Sequence, residues 1–112
     1  MPSFIMKRYY QGEDIPFLIP FSAQFQNAES FSEFTEIRSY AYTDGCLIQK
    51  FSTSKKEGYG KLTLSNEEIS GLITSEYSSL FKPGAIIIEV VGMKSDSELR
   101  YDIGKTINLL LE

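Results

Sequence analysis

The chain has 112 residues, 15 acidic against 11 basic, no histidine, a single cysteine and a net charge of −4. That inventory excludes structural zinc, histidine-based acid–base catalysis, an intrachain disulfide and the basic footprint that nucleic-acid phosphates require. Eight Phe and seven Tyr with 42% hydrophobic residues describe one folded domain over residues 1–112, able to bury roughly two-thirds of the surface its unfolded form exposes.

The first residues, Met1 to Arg8, place their charges after a short apolar patch, which is the wrong order for a signal peptide. No stretch approaches the ~20 apolar residues of a membrane helix. The expectation is a protein made and kept in a cytoplasm, or one that reaches its destination as part of something larger. Ser3 to Tyr10 alternates loosely, with Phe4, Met6 and Tyr10 on one side and Ile5, Lys7 and Tyr9 on the other. It reads as an N-terminal strand or docking arm over residues 1–11.

After the polar turn Gln11 to Asp14, alternation becomes strict: Ile15, Phe17, Ile19 and Phe21 share one face and Pro16, Leu18, Pro20 and Ser22 the other. Two prolines of equal parity place this strand at a sheet edge. Ala23 to Glu33 lacks a period and reads as a connecting loop. Phe34 to Thr43 is the next strand, and Asp44-Gly45 forms a type I′ hairpin turn into Cys46 to Thr53. Cys46 reads as a small core hydrophobe.

Ser54 to Gly58 is a charged loop, followed by a strand at Tyr59 to Leu64 with Leu62 and Leu64 facing inward. Gly58-Tyr59-Gly60-Lys61 is a glycine pair in a turn, without the spacing of a nucleotide loop. Ser65-Asn66-Glu67-Glu68 carries the capping-box pattern ahead of Ile69, Leu72 and Ile73, predicting one or two helical turns. A second turn is expected at Ser75 to Phe81, with Tyr77, Leu80 and Phe81 folding back on the core.

Ala85 to Val91 is the most apolar stretch, six of seven residues, and reads as a central strand buried on both sides of its sheet. Leu99, Tyr101 and Ile103 then alternate with polar residues, Gly104 marks a bulge or bend, and Ile107, Leu109 and Leu111 share one face of the last strand. About eight short strands with one helical interruption predict a mainly β fold, a β-sandwich or barrel.

No set of residues forms a catalytic constellation, and neither Asp96-Ser97-Glu98 nor Glu67-Glu68 has the spacing of a calcium loop. No cofactor, metal site or enzymatic activity is expected. Tyr9-Tyr10 and the pair Tyr40 and Tyr42 suit either partner-binding surfaces or cross-strand packing.

The order of features is itself informative: Gly12-Glu13-Asp14 before an amphipathic strand, then Leu62-Thr63-Leu64-Ser65-Asn66-Glu67-Glu68 leading to Leu80-Phe81-Lys82-Pro83-Gly84 and the apolar strand. It resembles the immunoglobulin-like N-terminal domain of phage baseplate upper proteins and similar virion-appendage domains, over residues 12–112. The resemblance implies an immunoglobulin-like antiparallel sandwich of about seven or eight strands. It also implies a non-enzymatic virion protein of tail, baseplate or capsid, made in the host cytoplasm and assembling in multiple copies with itself or other virion subunits. Phe4, Ile5, Met6, Tyr9 and Tyr10 are the expected partner interface. The alternative is a monomeric recognition module for a carbohydrate, peptide or host protein. Neither reading involves nucleic acid or a membrane.

Overall fold

The structure, a computed structural model, describes residues 7–80, 82–94 and 100–112, with the side chains of residues 106–108 outside the description. Nine strands are present among the described residues: β1 (Lys7–Tyr9), β2 (Ile15–Pro20), β3 (Glu36–Thr43), β4 (Cys46–Ser52), β5 (Gly60–Lys61), β6 (Thr63–Ser65), β7 (Glu68–Ile73), β8 (Gly84–Met93) and β9 (Arg100–Leu111). One helical turn, α1 (Ser75–Ser78), joins β7 to β8. The strands form two sheets, ordered β1-β9-β8-β3-β4-β5 and β2-β7-β6.

Alternation explains how the sheets face each other. Ile15, Phe17 and Ile19 of β2, Ile69 and Ile73 of β7, and Ile86, Ile88 and Val90 of β8 are all buried in one shared core. Phe17 of the small sheet meets Phe51 of the large one edge-to-face, with ring centroids 5.0 Å apart. Such a pair adds about 0.5–1.5 kcal/mol to the burial of its rings. The strand order and the two-layer packing are those of the variable-type immunoglobulin fold, in which two extra strands extend the sheet holding the third, eighth and ninth. The sandwich is mainly antiparallel, with parallel pairings of β1 with β9 and of β4 with β5.

The proline-marked strand lies where its sequence places it, at the edge of the three-stranded sheet. The backbone N–H of Phe21 donates to the Glu67 carbonyl at 2.8 Å, so odd-numbered positions point their N–H groups at β7 and even-numbered ones at the open edge. Pro16 and Pro20 fall on the edge side, where a missing donor breaks no ladder bond. Asp44 and Gly45 have φ of 49° and 75°, the left-handed pair that a type I′ turn demands and that Asp-Gly tolerates.

Several expectations are corrected. The Ser65 to Glu68 segment is a hairpin turn rather than a helix start: Asn66 and Glu67 have φ of 53° and 57°, and Glu68–Ile73 is β7. Its inward positions are Ile69, Gly71 and Ile73, a period of two, and the bare Gly71 lies under the Phe17 ring. The stretch from Tyr59 to Leu64 is two strands. It passes from one sheet to the other at buried Leu62, while Leu64 sits exposed at the rim of the small sheet.

Cys46 is exposed beside the Asp44-Gly45 turn, outside the core. Tyr77 and Leu80 are exposed, because the single turn of α1 is too short to lay them on the core; Phe81 lies outside the described residues. Strand β8 is central; its inner face is fully covered, and on its outer face Val91 is buried while Ile87 and Glu89 are half-buried among side chains of the same sheet.

Ile103 bulges from β9 where the pairing skips between Val90–Gly104 and Val91–Asp102. The ring of Phe25 lies where a Cβ on Gly104 would stand, 2.6 Å away. That contact anchors the connecting loop: Phe25 packs with Phe21 and Phe31. Phe31 opens a 3₁₀ turn (Phe31–Glu33) with a capping box between Ser30 and Glu33. Leu109 and Leu111 are buried as expected; the side chain of Ile107 lies outside the described residues.

Candidate functional site

The two outer surfaces of the sandwich carry the residues with functional potential. On the large sheet, the outward positions of β3 are Glu36, Arg38, Tyr40 and Tyr42, opposite Met93, Val91, Glu89 and Ile87 of β8. Arg38 donates to both oxygens of Glu36, at 2.9 and 3.3 Å, and the Ser52 hydroxyl donates to the same carboxylate. Burial by itself would raise the Glu36 carboxyl, but these hydrogen bonds, with the nearby Arg38 and Lys56 charges, hold it below its ordinary value of 4.5. Its hydrogen bond to Glu36, working against burial, pushes Arg38 above the usual arginine range.

The tyrosines of this face are engaged rather than bare. The Arg100 guanidinium lies over the Tyr40 ring at 5.4 Å, and Tyr59 carries Arg38 at 5.4 Å and the Lys50 ammonium at 4.7 Å. Arg100 also bonds Glu89 and Asp102, and its hydrogen bond to Asp102 raises its pKa. Burial and then Tyr59 raise the Tyr40 phenol, with Arg38 opposing. Tyr40 therefore belongs to a cross-strand web in which it already has a cationic partner, while Tyr42 is half-buried opposite Ile87.

The outer face of the small sheet is the opposite. Pro16, Leu18 and Pro20 of β2 face outward beside Leu72, Ser70 and Glu68 of β7. Leu18 is 55% exposed and Leu72 43%. Pro16 and Leu72 are directly paired, so Pro16, Leu18 and Leu72 form one continuous apolar patch. An open concavity runs across it, bounded by Lys7 and by Lys61 and Thr63.

A third feature is a groove of about 540 Å³ where the chain leaves β4 and returns through β5. Thr53, Ser54, Lys55, Lys56, Tyr59 and Lys61 line it. The Tyr59 N–H bonds the Lys56 carbonyl at 3.2 Å, closing a turn that projects the two lysines. Sequence patterning finds this loop only as charged turn chemistry, because its walls come from two strands joined by a mere two-residue pairing.

Of the expected interface residues, Tyr9 lies in β1, half-buried and packed against the core, while Tyr10 is 61% exposed. Phe4, Ile5 and Met6 lie outside the described residues. Among the described residues, no three His, Cys, Asp or Glu side chains come together as metal ligands would.

No protein-family model matches the chain, and no curated protein matches it. Among solved structures, it is similar to the V domain of amphioxus IgVJ-C2, 14% identical over 93% of this chain and 97% of that one, with a TM-score of 0.32. The immunoglobulin-like fold rests on the strand order itself, not on that likeness.

Proposed function

We propose that this chain is a non-enzymatic structural domain of a phage virion, a subunit of tail, baseplate or capsid that works by assembling in multiple copies. The resemblance of residues 12–112 to phage baseplate and appendage domains supplies the virion setting. The observation that carries the assembly reading is the bare patch of Pro16, Leu18 and Leu72. Apolar patches that neighbouring side chains leave uncovered mark interaction surfaces, and covering one contributes ~25 cal/mol per Å² before the costs of association. Self-association in closed symmetry would repeat that contact in every copy. Tyr10, exposed just after β1, extends the surface available to a neighbour.

The test is the solution mass by light scattering of three proteins: the full chain, the chain beginning at Lys7, and a Leu18→Glu/Leu72→Glu variant. A defined oligomer that falls to a single folded chain in the double variant is the expected result. Loss of the oligomer in the chain beginning at Lys7 would place the contact on the N-terminal residues instead. A full-length monomer at millimolar concentration, or an oligomer indifferent to both changes, overturns the proposal.

A further inference from the structure

The groove beside β5 stands apart from both sheet faces in its charge. From Lys50 to Lys61 the chain carries four lysines and one glutamate, within a protein of net charge −4. Among the described residues every ion pair is made by an arginine, so Lys55, Lys56 and Lys61 have no carboxylate at ion-pairing distance. Arg38 is spoken for by Glu36. Three lysines that make no ion pair thus line one concave wall with the Thr53 and Ser54 hydroxyls, against the single carboxylate of Glu57 in the same lining and the more distant charge of Glu36, which Lys56 helps to hold ionised. Like charges held this close repel, and the repulsion is relieved when an anion enters.

Tyr59 narrows the ligand class. An aromatic ring in a groove suggests stacking of a neutral sugar, but this ring already engages Arg38 and Lys50. Those contacts fix the ring as a wall and add positive charge behind it. What remains for a ligand is charge and hydrogen-bond donation: ammonium groups and hydroxyls, which match oxyanions.

We propose that the groove lined by Lys55, Lys56, Tyr59 and Lys61 binds a ligand carrying two or more oxyanion groups, either the carboxylates of an acidic saccharide or linked phosphates. This site is independent of the apolar patch and of the assembly reading.

The test is a titration of the isotope-labelled full chain, followed by amide chemical shifts at low salt, with tripolyphosphate in one arm and trigalacturonate in the other. Saturable shifts confined to residues 52–62, weakening as added salt shortens the screening length to ~8 Å, are expected. A Lys55→Gln/Lys56→Gln/Lys61→Gln variant should lose roughly tenfold in affinity, the sum expected of three exposed charge contacts, with its other amide shifts unchanged. The matching Lys→Arg variant should retain binding. Binding of tripolyphosphate alone assigns a phosphate ligand, of trigalacturonate alone a sugar acid, and of both a groove that reads charge spacing. No saturable binding of either probe, shifts centred on Lys82, Lys94 or Lys105, or undiminished binding by the glutamine variant overturns the proposal.

Discussion

The two outer faces of this sandwich are built from the same strand geometry but handle their exposed positions in opposite ways. On the large sheet, each outward position of β3 from Glu36 to Tyr40 has a partner across the strand or above it: Glu36 takes Arg38 and Ser52, and Tyr40 takes Arg100. On the small sheet, Leu18 and Leu72 lie beside Pro16 and Ser70, with Lys7, Lys61 and Thr63 at the margin, and both stay largely exposed. A side chain bonded within its own sheet contributes to folding and has little left for a partner. A bare one contributes little to folding and is free to be covered by something else. Stability and association should therefore separate cleanly by face.

Four measurements on three variants sharpen or break that separation. The largest effect belongs to neither face but to what joins the sheets. Phe17→Ala removes the ring that meets Phe51 and should cost about 3–5 kcal/mol by chemical denaturation; a loss under ~1 kcal/mol would mean the sheets are held together elsewhere. Next is Glu36→Gln, which leaves Arg38 without its carboxylate among half-buried neighbours and should cost about 1–3 kcal/mol near neutral pH.

The same carboxylate fixes the sign of an acid dependence. Its folded pKa is depressed, so its contribution is fully present above the ordinary value of 4.5 and disappears as pH falls through the lower folded value. Wild-type stability should fall across that window, and the Glu36→Gln variant should fall less steeply. Parallel acid limbs would remove Glu36 from the account. The smallest effect is Leu18→Ser, which should change stability by no more than about 0.5 kcal/mol. A loss as large as that of Glu36→Gln would show that the apolar face is part of the fold and not a surface held in reserve.

The sequence discloses most where one physical constraint dominates. Strand β2 is legible because period-two Ile and Phe leave no other face to bury, and because two prolines of one parity can only sit at an edge. The Asp44-Gly45 hairpin is legible because few dipeptides accept two positive φ angles. The Ser65 to Glu68 turn is misread because the same chemistry serves two ends: Ser followed by Glu suits a helix cap, while Asn at positive φ suits a hairpin, and only the pairing of β6 with β7 decides between them. Gly71 is the inward position of β7 that admits the Phe17 ring, a close approach only the pairing with β2 reveals.

The candidate surfaces are less legible than the fold. Which Tyr carries an Arg depends on register: Tyr40 stands opposite Glu89, and Arg100 bonds Glu89 from the far side of β8, a relation no local pattern contains. Cys46, the first residue of β4 after the Asp44-Gly45 turn, is a hydrophobe by composition and an exposed thiol by location.

The prolines of β2 have a consequence for how copies of this chain can meet. With Pro16 and Pro20 at the two outer sites, Leu18 supplies the one edge-facing N–H along the run from residue 16 to residue 20, too few for an incoming strand to zip against. A neighbour can lie on the face of the small sheet but cannot lengthen it from the β2 edge. If copies meet through that face about a twofold axis, with the same patch on each, the contact would close at two subunits without adding a strand to the sheet.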